Sequence, residues 1–214
     1  MKPLLNKKYF NSRRNKMKTL FTMMLALATT LASAAQDKPM TTSYKIDNAA
    51  STVGWEAKKV VGGHSGNVSI KDGTITLTGE IITAGEINVD MNSITVSDIP
   101  ATDEYNAKLV GHLKSPDFFN IEKFPGAKLV IKSSEKTKTG LKIKGDLTFI
   151  GKTNAIEFDA VVSNVKGVYT AKSNVVLDRT KWDLKYGSTD FFKGLGDKAI
   201  NNEFTLAINL SAKK

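Results

Sequence analysis

Past residue 34 the chain holds two histidines, His64 and His112, and a single arginine, Arg179. Histidine ordinarily titrates nearest neutrality, so either ring would be the first choice for a general acid or base. Each stands alone in sequence. His64 sits in the glycine-rich break Gly62-Gly63-His64-Ser65-Gly66, and His112 ends a helical stretch, where its ring suits the unpaired carbonyls of the last turn. Asp117 is the acid–base partner available to His112, with no third group to orient the pair. There is no glycine-flanked serine elbow, histidine pair at metal-ligand spacing or phosphate loop. The absence of cysteine removes any disulfide, thiol nucleophile or thiolate metal site. We expect no enzymatic activity, no cofactor and no metal.

Arg179 stands among 23 lysines in the same part of the chain, any of which would serve solubility. A planar guanidinium with five donors is the side chain that holds two oxygens at once. Those oxygens belong to a neighbouring carboxylate (Asp178, Asp183 or Asp190) or to a ligand headgroup. Trp182, three residues on, plugs a core or forms a pocket wall. It belongs to one aromatic group with Tyr186, Phe191 and Phe192; Phe118, Phe119 and Phe124 form another.

Both groups interrupt a chain that otherwise alternates apolar and polar residues, the period of half-buried strands. Asp103–Leu113 carries Tyr105, Leu109, Val110 and Leu113 at the spacing of one helical face, and Ser115-Pro116-Asp117 stops that helix. Around it we expect strands near Val53–Ala57, Val68–Ile81 with a hairpin turn at Asp72-Gly73, Ile87–Val96, Leu129–Ile131, Leu141–Phe149, Ile156–Val162, Val168–Leu177 and Phe204–Leu210. Turns are expected at Gly151–Asn154 and Asn164–Gly167. Gly145 takes an apolar slot in its strand, the sign of a bulge or a close backbone approach. The reading is all-β: an antiparallel eight-stranded barrel with one short helix covering an end, its first and last strands paired. The two long insertions, Gly111–Pro125 and Asp178–Phe192, should meet at one end, with Phe118, Phe119 and Trp182 as an apolar rim and Arg179 beside it.

Residues 1–34 read as a secretory signal peptide: seven basic residues and no acid up to Lys18, an apolar run of 13 residues from Leu20 to Ala32, then Ala32-Ser33-Ala34. Residues 35–43 form a lead-in, and 44–214 the barrel domain. Without the signal, 24 basic residues face 21 acidic ones, so the formal charge of +10 is mostly a targeting feature. Nucleic acid is rejected as a partner. The mature chain has no transmembrane segment, and we place it in the periplasm or secreted.

Several motifs, in order, resemble those of the YceI-like proteins. They are Tyr44-Lys-Ile-Asp47 before Val53-Gly-Trp55, His112-Leu-Lys-Ser-Pro-Asp-Phe-Phe119 with Phe124-Pro125, and Gly145-Asp-Leu-Thr-Phe-Ile-Gly151. Asp178-Arg-Thr-Lys-Trp182 with Tyr186-Gly-Ser188 completes the set. The resemblance implies a lipocalin-like barrel that binds a polyisoprenoid, an isoprenoid quinone or another long-chain lipid. It leaves a homodimer open. The ligand-facing residues on this reading are Trp55, His112, Phe118, Phe119, Phe149, Phe158, Arg179 and Trp182. Family members often carry histidine and phenylalanine where this chain has Gly54-Trp55 and Glu56, so Trp55 should narrow the pocket. A lipid-headgroup hydrolase using His112 and Asp117, and a filled barrel acting as a stress-response interaction module, are the competing functions.

Overall fold

The computed structural model describes residues 39–214; the expected signal peptide lies outside them. The strands are β1 (Thr41–Ile46), β2 (Thr52–Lys59), β3 (Gly63–Thr78), β4 (Ile81–Asp90), β5 (Gly126–Lys136), β6 (Leu141–Phe149), β7 (Lys152–Val165), β8 (Val168–Asp178) and β9 (Ile200–Lys213). β1 thus takes in Thr41–Ser43 of the expected lead-in. Among the described residues one α-helix, α1 (Glu104–Lys114), stands between β4 and β5.

All pairings are antiparallel, and nine strands make an eight-stave ring. β1 and β2 lie end to end in one stave between β3 and β9, joined by the short turn at Asn48–Ala50. β2 pairs with the first half of β3 (Val53 opposite Val68) and β1 with its second half (Tyr44 opposite Ile75). β9 takes both from the other side, and β3 with β4 completes the closure. First and last strands do pair, with Lys45 opposite Lys213.

This arrangement corrects the expected hairpin at Asp72-Gly73. β3 runs straight through it, with Asp72 opposite Asn88 and Gly73 opposite Ile87, and a bulge between Ile70 and Asp72 absorbs the extra residue. Asn88 Nδ2 donates to Asp72 Oδ1 at 2.7 Å, so the aspartate is held by a cross-strand partner rather than by a turn. The chain reverses at Gly79-Glu80 instead. Likewise His64, Ser65 and Gly66 belong to β3, not to a flexible break. Gly145 behaves as expected: a Cβ there would meet Val130 O at 2.5 Å, beside a register shift between Ile131 and Ser133.

The two ends of the barrel differ. At the base the reversals are short: 79–80, 137–140 and 166–167. At the opposite end lie the long β4–β5 and β8–β9 connections. α1 is capped by Asp103, whose side chain accepts from Tyr105 N, and closed by Ser115, whose N–H returns to His112 O. Leu109, Val110 and Leu113 pack against Ile94, Val96, Ile99 and Trp55. Tyr105, expected on that face, is instead exposed beneath the Lys108 ammonium, 5.1 Å from its ring centroid. Asn106 Nδ2 donates to Val96 O and Ile99 O, which fastens the helix to the segment before it.

Two glycines offer opposite tests of this packing. A Cβ on Gly66 would lie 1.8 Å from Thr95 O, whereas one on Gly111 would meet nothing within 4 Å. Gly66→Ala should cost about 1–3 kcal/mol through overpacking. Gly111→Ala, in an exposed helix position, should gain up to about 1 kcal/mol. Urea unfolding of the two variants checks both signs.

Candidate functional site

The inward residues of β2–β9 leave two apolar spaces along the barrel axis. The inner one, about 100 Å³, is walled by Ile75, Ile82, Ile87, Ile143, Phe158, Tyr169 and Ala171, among others. The outer one, about 140 Å³, is walled by residues that include Trp55, Ala57, Leu113, Phe118, Phe119, Phe149, Arg179 and Phe204. Val53, Val89, Leu147 and Leu206 border both, so the spaces abut. A cavity of about 150 Å³ takes one benzene-sized group, and each space as packed is of that order. Ala160 is the small inward residue that keeps the inner wall back.

The mouth is built from three segments held by specific bonds. Trp55 Nε1 donates to Thr95 O at 3.1 Å, which fixes the indole against the outer cavity. His64 Nδ1 and Asp98 Oδ2 are 2.8 Å apart, and Asp98 Oδ1 accepts from Ser65 N at 2.8 Å. Burial pushes the Asp98 carboxyl up, but the Ser65 N–H and His64 outweigh it and hold it below the usual aspartate range. The latch ties the segment after Ser93 to β3.

The two long insertions meet, as expected. The His112 ring stands edge-on to Phe118 at 5.0 Å and to Tyr186 at 4.9 Å, and Phe118 lies 5.1 Å from Tyr186. From there rings continue inward, Phe119 to Phe149 at 5.4 Å and Phe149 to Trp182 at 6.4 Å.

The residues singled out in the sequence separate into two groups. Trp55, Phe118, Phe119, Phe149 and Arg179 border the outer space, and Phe158 the inner one. His112 and Trp182 border neither. His112 Nε2 is 3.4 Å from Asp117 Oδ2 on the partly exposed outer side. Trp182 is 1% exposed and donates Nε1–H to Leu147 O at 3.0 Å, a plug behind Phe149 rather than a rim. Arg179 is 3% exposed and spends its fork on three main-chain carbonyls: Asn201 O (2.9 Å), Leu184 O (2.6 Å) and Ile200 O (2.9 Å). Among the described residues it has no carboxylate partner within salt-bridge distance. Burial lowers its pKa, with Asp178 acting in the other direction. Sequence reasoning missed Met91, Leu113, Leu184 and Tyr169 as wall residues; the inward phase of β8 was the available signal for Tyr169. No group of three or more His, Asp or Glu side chains among the described residues could hold a metal ion.

A profile of the YceI-like domain matches residues 44–212. The chain belongs to the YceI-like family. The proteins called YceI in Shigella flexneri and Salmonella newport are 35% and 34% identical to it over 89 residues. That match spans 42% of this chain and 44% of each relative. Two solved structures share its fold. BcnA of Burkholderia cenocepacia superposes with a TM-score of 0.58 at 15% identity, covering 78% of this chain and 99% of that one. A polyisoprenoid-binding domain from Saccharophagus degradans gives 0.59 at 11% identity, covering 79% and 97%.

The latch and the fork of this YceI-like barrel can each be tested. Asp98 has a lowered folded pKa, so its contribution to stability is complete above the ordinary aspartate value of about 3.9 and is lost as pH falls through the folded one. The gap in unfolding free energy between wild type and Asp98→Ala should therefore close on acidification, and a gap independent of pH would contradict the latch. Arg179→Lys keeps the charge but cannot reach three carbonyls. We expect a loss of about 2–4 kcal/mol, the scale of charged hydrogen bonds given up in a buried site, read from the denaturation midpoint.

Proposed function

We propose that this YceI-like protein binds a long-chain isoprenoid lipid, a polyisoprenoid or an isoprenoid quinone, and carries or sequesters it outside the cytoplasm without covalent chemistry. The observation that carries the reading is the apolar interior, which runs from the aromatic mouth to the base of the barrel. The Saccharophagus neighbour, described as polyisoprenoid-binding, supports the ligand class by analogy of fold. Export rests on the signal-like residues 1–34 alone.

Hydrophobic transfer supplies the driving force. Each buried methylene contributes about 0.8 kcal/mol, so a five-carbon isoprene unit brings roughly 4 kcal/mol before ordering costs. Two to three units reach the micromolar range, near −8 kcal/mol. The spaces as packed hold only ring-sized groups, so a longer chain enters by displacing the half-buried side chains that border them. Phe118, Phe119 and Phe158 are partly exposed and border a void, and they are the ones able to turn, whereas Trp55 is held by its bond to Thr95 O. The hydrolase reading is weaker, because His112 and Asp117 stand on the outer side, away from both spaces.

Organic extraction of protein purified from its native envelope should release an isoprenoid lipid. Ala160 is 4% exposed and walls the inner space, so Ala160→Phe should fill it. That variant should weaken binding of a C40 prenyl chain by at least about tenfold while a C15 chain loses less, since only the longer chain needs the depth. Wild-type protein that is empty and takes up neither chain would sink the reading.

A further inference from the structure

We propose that the barrel has a lateral portal, a seam between β7 and β8 through which the hydrocarbon chain of the lipid enters and leaves without threading the aromatic mouth. The proposal rests on the lipid-binding reading above and concerns the route to the pocket.

β7 has 14 residues and β8 has 11, yet they pair only from Val161 opposite Lys172 to Val165 opposite Val168, in the basal half. Above that point each strand is paired on its other side alone. β7 follows β6 up to Lys152 opposite Phe149, and β8 follows β9 up to Asp178 opposite Glu203. The facing edges, 155–159 and 174–178, have no ladder between them. Two exposed side-chain bonds hold them instead. Ser173 Oγ donates to Asp159 O at 2.6 Å where the ladder stops, and Asn154 Nδ2 donates to Lys181 O at 3.0 Å toward the mouth. The short β4–β5 ladder, by contrast, is sealed where it ends: buried Ser134 Oγ accepts from Ile82 N and donates to Ile82 O, both at 2.9 Å.

The inner space lies directly behind the seam. Ile156 and Phe158 of β7 and Val175 and Leu177 of β8 all border it. Ile156 and Phe158 are partly exposed, whereas Leu141 and Ile143 on neighbouring β6 are buried. Outside, a groove of about 340 Å³ runs past the lower end of the seam, and Ala160, Ser173 and Ile208 border both that groove and the inner space. A single layer of residues therefore separates the two. Val161 and Val176, 59% and 57% exposed, flank the seam on the outer face and give an arriving hydrocarbon its first apolar contact. End-on entry to the inner space has to pass the rings of Phe118, Phe119 and Phe149 around the outer one. Sideways entry breaks two side-chain bonds and leaves the five basal pairs as a hinge. A polar headgroup stays in water throughout, so its desolvation is avoided.

The chain has no cysteine, so a staple can be placed cleanly. The register of the paired half, carried upward, sets Glu157 opposite Val176. Glu157→Cys with Val176→Cys, joined by dibromobimane, should slow both uptake and release of all-trans-retinol at least about tenfold with little change in Kd, as a gate requires. Stopped-flow retinol fluorescence reads both rates. Val176→Cys with Thr205→Cys, stapled across the paired β8–β9 side, should leave them unchanged. Ser173→Ala removes the lower tie and should speed both about three- to tenfold, the worth of one net hydrogen bond. Hydrogen exchange tests the seam itself. Asp159 O faces β8, so by strand alternation the Glu157 amide does too, and it should exchange faster than the Phe158 amide, which faces β6. Equal protection of those two amides, or retinol rates that ignore the β7–β8 staple, would overturn the portal. Wild-type protein that takes up no retinol would overturn the lipid-binding reading instead.

Discussion

The fold depends on two strands being long enough to serve two neighbours on one side. β3, with 16 residues, and β9, with 14, sandwich the end-to-end pair β1 and β2, and that shared stave closes the ring. A broken stave would ordinarily leave unpaired main chain at the break. Here Ser51 Oγ donates to Asp47 O, the Ser211 N–H donates to Ser51 Oγ, and the Asp47 N–H donates to Ser211 O. The gap is thus sealed by the strand across from it. Closure removes the open edges that would invite pairing with another chain. It also sends every second side chain of each strand into one common interior.

That interior is apolar for two reasons of different kind. Its walls are aliphatic, and the polar groups near it are consumed by the backbone: the Trp55 and Trp182 indoles and the Arg179 fork all end on carbonyl oxygens. An arginine at the edge of a greasy space looks like a headgroup site in sequence, yet its donors brace the start of β9 against the loop before it. The lysines lie outside, many of them paired with acids across strands, as Lys144 with Glu135 and Lys128 with Glu86. Such exposed pairs add little to stability, but they keep the outer face wet and the two faces of the sheet distinct.

Periodicity made most of the architecture legible, and the exceptions are local. Asp72-Gly73 is the best hairpin dipeptide in the chain and is not a turn, because pairing partners on both flanks hold β3 extended there. Ile150-Gly151 is a poor one and does turn, with both residues at positive φ (49° and 72°). Tertiary pairing overrides local preference in both cases. The helix was readable from its stop signal and its Leu109, Val110 and Leu113 face. Tyr105 was misplaced on that face because a helical spacing alone does not say how wide the buried stripe is. The aromatic mouth could be located from chain order, whereas the division of labour within it could not. Trp182 and His112 both lie in the two long insertions, and only the path of the main chain turns one into a plug and the other outward.

The broken stave also gives the molecule a direction. Residues 39–41 and the end of β9 leave the barrel at the base, where Lys213 Nζ meets Asp47 Oδ2 at 2.6 Å, while every long connection gathers at the opposite pole. Anything coupled to the chain through residue 39 or Lys214, whether a solid support, a fluorophore or a fused domain, attaches at the foot and points the opening away. Orientation is here a property of the topology.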